Sequence, residues 1–179
     1  MKRLITAVLL LLSLASFSQE AYIIKKDSTK IVVNPESVYI IPVDKRVAYK
    51  LPGKTWEKYV RYKDLDFVSY DGKRFKNGAF IIAENASVKM ETLPQTVTTD
   101  KPTMRTFFYY RFVDKKTNKI ISRGTFTSVK SKANKEKMET AITLVKQYFA
   151  DCPQVMQKVA DTTQDRESFF WDLQYIECN

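Results

Sequence analysis

Histidine is absent from this 179-residue chain. That removes Ser-His-Asp and Cys-His nucleophilic catalysis, histidine-ligated zinc and imidazole acid–base chemistry. There is no G-x-S-x-G elbow, and no serine heads an S-x-x-K pair. The four glycines, at 53, 72, 78 and 124, build no G-x-G-x-x-G or G-x-x-x-x-G-K phosphate cradle. Carboxylates remain. Asp64 and Asp66 stand two residues apart, so on a strand they share one face, with Glu57 and Glu84 as candidate neighbours. Two carboxylates about 5–9.5 Å apart can hydrolyse a glycosidic bond. They could also bind calcium, although the spacing is not that of an EF-hand loop. The plainer reading makes them edge or turn residues that keep the protein soluble. No catalytic residue, metal ligand or cofactor is therefore assigned.

Two cysteines, Cys152 and Cys178, are too far apart in sequence for a C-x-x-C redox motif. An even count in an exported chain points to a disulfide between them; two buried thiols are the alternative. Aromatic residues cluster at Phe107, Phe108, Tyr109, Tyr110 and Phe112, and again at Phe169, Phe170 and Trp171. Such clusters either line a ligand pocket or supply the large apolar faces of a sheet packed by helices.

Export is read from the first residues. Lys2 and Arg3 precede an apolar run from Leu4 to Ala15, and small polar residues follow, as in a secretory signal peptide over residues 1–18. The run is too short to span roughly 30 Å of hydrocarbon. Ser16 and Ser18 suit the −3 and −1 positions and leave Gln19 as the new N-terminus; Ser13 and Ala15 offer an earlier cut. Residues 19–179 then form one domain, long enough to bury roughly 70% of its unfolded surface. No second apolar run is long enough for a transmembrane segment. Losing Lys2 and Arg3 takes the net charge from +10 to +8. A basic surface favours anionic partners such as acidic polysaccharide or lipid headgroups. The lysines are scattered and no block of five like charges occurs, so the plainer reading is an ordinary solvated surface, and no nucleic-acid partner is expected.

The elements that must position these residues are mostly strands. Ala21–Lys25 and Lys30–Val33 flank Asp27-Ser28-Thr29, a hairpin signal. Val38–Val43 and Arg46–Leu51 read as further strands, the first closed by Pro42. Trp56–Tyr70 reads as one long β segment with Trp56, Lys58, Val60 and Tyr62 on one face. Asp71-Gly72 and Asn77-Gly78 are type I′ turn pairs, because both central residues of that turn need positive φ. They separate Lys73–Lys76 and Ala79–Ala83 into a β-meander. Residues 92–103, with two prolines and five threonines, read as a linker, long loop or edge. Met104–Val113 and Lys119–Thr127 form a second long hairpin, the first strand being apolar on both faces and so central. Met138, Ala141, Ile142, Val145, Tyr148 and Phe149 repeat at helical spacing. Pro153 suits the first turn of another helix, with Val155, Met156, Val159 and Ala160 on one face. Residues 168–177 fit either period and are read as helix, since they follow helices. The fold class is α+β: an antiparallel β-meander sheet packed by C-terminal helices.

The stretch YVRYKDLDFVSYDGKRFK (Tyr59–Lys76), with YFADCP (Tyr148–Pro153) and the leader ending SFSQ, resembles exported proteins of the Bacteroidota, especially flavobacteria. The resemblance covers most of the mature chain. It implies the periplasm, or else secretion or the cell surface, and no activity. It also implies candidate O-glycosylation at Ser28 and Thr162, since that group modifies Ser or Thr in triplets such as Asp27-Ser28-Thr29 and Asp161-Thr162-Thr163. The plainer reading of both triplets is ordinary turn and capping chemistry.

The expected function is a non-enzymatic exported module that binds a ligand, an anionic envelope component or another exported protein. The alternatives are a carboxylate-dependent hydrolase and a carrier of an apolar ligand.

Overall fold

Asp71 and Gly72 have φ of 49° and 67°, and Asn77 and Gly78 have φ of 51° and 82°, so both turn pairs adopt the left-handed region that type I′ geometry requires. They join β6 (Leu65–Tyr70), β7 (Lys73–Lys76) and β8 (Ala79–Glu84). The meander runs on through β9 (Val88–Thr98), β10 (Met104–Asp114) and β11 (Ile120–Thr127). The hairpin of β1 (Tyr22–Lys25) and β2 (Lys30–Val32) adds to β6. The order is β11-β10-β9-β8-β7-β6-β1-β2, with β12 (Ile176–Glu177) pairing parallel to β8. A second sheet of three strands holds β3 (Tyr39–Ile41), β4 (Arg46–Tyr49) and β5 (Lys58–Arg61). This computed structural model describes residues 20–98, 104–127, 131–161 and 168–178. The expected signal segment, Thr162 and positions 99–103 of the expected linker lie outside the described residues.

Cross-strand register places Ile23, Val68, Phe75, Phe80, Thr92, Tyr110 and Gly124 on one face of the large sheet. Two covers share that face. Over β1, β6 and β7 lies the three-stranded sheet, whose Val47, Tyr49 and Val60 join Ile23, Leu65, Val68 and Phe75 in one core. Over β8–β11 lie α1 (Lys132–Tyr148), α2 (Pro153–Asp161) and α3 (Ser168–Trp171). Ser131 caps α1 by accepting from the Asn134 amide at 3.2 Å. The apolar stripe of α1 buries Ala141, Ile142 and Val145, with Phe149 just past its end. Val155 and Val159 do the same for α2, while Ala160 is exposed. The molecule is thus α+β, an antiparallel meander packed by C-terminal helices.

Three local expectations are corrected. Trp56–Tyr70 is not one strand: Trp56 is exposed ahead of β5, and a 3-10 turn at Tyr62–Asp64 separates β5 from β6. There the Tyr62 amide bonds to the Lys45 carbonyl at 2.8 Å, and the chain passes from the small sheet to the large one. Residues 92–98 are strand rather than linker. Pro94 is tolerated because β8 pairs with β9 only as far as Thr92, so β9 is an edge on that side. Residues 168–177 are only briefly helical. After Trp171 the chain extends and β12 pairs with β8 beyond the part of β8 that β7 covers.

Candidate functional site

The carboxylates singled out from sequence do not converge. Asp64 sits in the exposed 3-10 turn, and Asp66 is held on β6 by Lys76 Nζ at 2.5 Å. Glu57 accepts from the Tyr59 hydroxyl at 3.0 Å on the small sheet. Glu84 belongs to a separate cluster on β8. Among the described residues no group of His, Cys, Asp and Glu could hold a metal ion. Ser28 is exposed with φ of 65° at the β1–β2 turn, where Asp27 Oδ1 accepts from the Thr29 amide at 3.0 Å.

The aromatic clusters are mainly core. Phe108 stacks on Phe126 with centroids 4.8 Å apart, and Phe170 meets Phe126 edge-on at 4.7 Å. Phe112, Phe149 and Phe169 are fully buried beside them. Tyr109 lies 40% exposed on the opposite face of β10, with Phe107 half-buried on that same face.

The structure joins Cys152 and Cys178 in a disulfide, with Cα atoms 5.4 Å apart. This fastens the start of α2 to the end of a C-terminal strap. The Tyr175 amide bonds to the Gly72 carbonyl at 2.9 Å, and the Cys178 amide to the Glu84 carbonyl at 2.7 Å. Tyr175 also donates its hydroxyl to Glu84. The Arg74 guanidinium lies over Phe67 at 4.2 Å and over Tyr175 at 4.8 Å, and it donates to Glu84 at 2.9 Å. Lys115 Nζ completes the set at 3.2 Å from Glu84. Burial works to raise the pKa of Glu84, but the Tyr175 hydrogen bond and the charges of Lys115 and Arg74 outweigh it. The carboxyl is held below its ordinary value. Burial and the bond to Glu84 push the Tyr175 phenol far above its usual range.

The face of the large sheet left open by the two covers carries the charged side chains. Register sets Arg74, Ile81, Glu91, Arg111 and Arg123 side by side across β7 to β11. Glu91 is 1% exposed, held between Lys89 Nζ at 2.8 Å and Arg111 Nε. Arg111 and Arg123 stand directly opposite each other, and like charges so placed repel. Glu91 offsets Arg111. Arg123 is exposed and makes no ion pair among the described residues. The two arginines flank a groove of about 490 Å³ whose apolar walls are Leu93, Tyr109 and Ile120. Gly124, between Arg123 and Thr125, would direct a side chain to the opposite, covered face, where the Tyr110 hydroxyl occupies the space a Cβ would need. A neighbouring depression of about 370 Å³ is bordered by Arg74, Lys76, Glu84, Lys89 and Lys115.

No family profile, curated protein or solved structure matches this chain. Among the described residues no helix is long and apolar enough to cross a membrane.

Sequence reasoning missed the arginines of the open face. Arg111 shows one sign of its position, since it alternates with buried Tyr110 and Phe112 on β10. Its neighbours Glu91 and Arg123 lie 20 and 12 residues away in sequence and meet it only through register.

Proposed function

We propose that this protein is an exported, non-enzymatic binding module whose open sheet face holds an anion with an apolar body, with an anionic envelope component as the partner class. The observation that carries the reading is the Arg111–Arg123 pair. One guanidinium is anchored by a buried carboxylate, the other is uncommitted, and both border a groove with an apolar wall. An anionic head between them would relieve their repulsion by charge-assisted hydrogen bonds, while Leu93, Tyr109 and Ile120 take the apolar part. The chemistry of the nearby carboxylates favours binding over hydrolysis. A general acid needs a raised pKa, and Glu84 is held low among cations.

Octyl phosphate and inorganic phosphate, titrated by calorimetry, test this. Octyl phosphate should bind at least tenfold tighter than inorganic phosphate and weaken as salt rises. Arg123→Ala removes an exposed side chain with no ion-pair partner among the described residues, so the fold is spared. It should weaken octyl phosphate about tenfold, as expected for the loss of a charged hydrogen bond. Absence of binding, or an Arg123→Ala variant that binds as the parent does, defeats the reading.

A further inference from the structure

The small sheet has an outer face of a different kind. Along β4, Val47 and Tyr49 point into the core, so the alternate positions of the small sheet face outward. Tyr39 and Tyr59 lie opposite Ala48 from either side, 55% and 49% exposed. Across one intervening strand they stand roughly 10 Å apart. Arg46 and Arg61 form the next cross-strand pair.

Tyr59 is held rather than loose. The Arg46 guanidinium lies 4.3 Å from its ring centroid, and the Tyr59 hydroxyl donates to Glu57 at 3.0 Å. Arg46 is itself anchored by Asp44 at 2.7 Å. A tyrosine fixed in this way loses little conformational entropy on binding. Arg61 is exposed and makes no ion pair among the described residues. Beside Tyr59 opens a depression of about 550 Å³ bordered by Arg61, Lys63, Lys25 and Lys26, with Asp27 and Asp64 as its only carboxylates among the described residues.

We infer that this face is a stacking platform for an acidic glycan. Pyranose rings offer flat C–H faces to tyrosine, and two tyrosines separated by a small residue suit alternate sugars of an extended chain. The carboxylate or sulfate groups of such a chain meet Arg61, Lys63 and the neighbouring lysines. Single-stranded nucleic acid also stacks on aromatic and basic surfaces. The disulfide favours the glycan, because such bonds belong to oxidising compartments where the available polyanions are largely polysaccharide. The platform uses no residue of the Arg111–Arg123 groove.

Affinity electrophoresis of the full chain in polygalacturonate, chondroitin sulfate, heparin and neutral dextran tests it, with a 20-nucleotide oligo(dT) in a separate titration. At least one acidic polymer should retard the protein, dextran should not, and added salt should weaken the effect. Tyr39→Ala with Tyr59→Ala should reduce retardation at least tenfold, as should the charge reversal Arg61→Glu. Lys137→Ala, which removes an exposed charge of α1 outside both candidate sites, should leave it unchanged. Retardation by no acidic polymer overturns the inference, as does equal retardation by dextran. Oligo(dT) bound as tightly as the best glycan replaces it with the nucleic-acid reading. If the double tyrosine variant melts early, Arg61→Glu decides alone, and unchanged retardation in that variant defeats the platform.

Discussion

One face of the large sheet is covered in two ways. Over β8–β11, helices fill the gap with large rings: Phe170 alone lies within 6.4 Å of Phe108, Tyr110, Phe126 and Phe169. Over β1, β6 and β7 the cover is another sheet, and most of the filling is aliphatic. Phe75 there meets two rings, Tyr62 and Phe80, each at 5.3 Å. A disulfide staples the helical half, and the described cysteines are all in it. Sheet-on-sheet packing draws on residues that point inward at every second position. Helices bring side chains from a curved stripe, and so can reach over a broad aromatic floor.

The same substitution in each half measures that difference most directly. Phe170→Ala should cost about 4–5 kcal/mol and Phe75→Ala about 3 kcal/mol in urea unfolding, since the transfer term is shared and the lost ring pairs are not. Equal losses would show that the two covers contribute alike.

The staple comes next. Cys152 and Cys178 are 26 residues apart, and closing such a loop is worth about 3–4 kcal/mol in the chain-entropy model. Cys178→Ser with Cys152→Ser should lower stability by that amount. Hydrogen exchange should then quicken at the Tyr175 and Cys178 amides, which bond to Gly72 and Glu84. The amides of β1 and β6 should be affected least. Equal deprotection there would mean that both halves open as one unit.

Glu84 gives the smallest effect and adds a pH signature. Its folded pKa lies below the ordinary value, so it contributes stability above the unfolded carboxyl pKa and loses it as pH falls through the folded one. Glu84→Gln should cost about 1–2 kcal/mol at pH 7. The gap between variant and parent should close as the solution is acidified below about pH 4. A gap that stays constant with pH would show that the loss comes from packing and not from charge.

Much of the fold was legible because its signals are local. Positive φ at Asp71-Gly72 and Asn77-Gly78 is a property of those residue pairs, and it produced the meander of β6, β7 and β8. The stripe from Met138 to Phe149 carries its own period, so the buried side of α1 needed no partner to be named. The Tyr62–Asp64 break was hidden, because a run rich in β-branched and aromatic residues looks continuous wherever it changes sheets. The strand at 92–98 was hidden by Pro94, whose cost vanishes only because β8 ends its pairing at Thr92.

Turn chemistry, helical stripe and cysteine count were thus determined by the sequence itself, each within a few residues of chain. Tertiary structure alone decided which strands became neighbours, and with them the open face. Arg111 stands against Arg123, and Glu91 is buried between Lys89 and Arg111, only because the registers of β9, β10 and β11 align them. The end of the chain was decided in the same way. Residues 168–177 fit helix or strand by pattern, but β8 had an unpaired edge at Ala83 and Glu84. Backbone groups left unpaired beside a core are costly, and that edge drew the strap into β12.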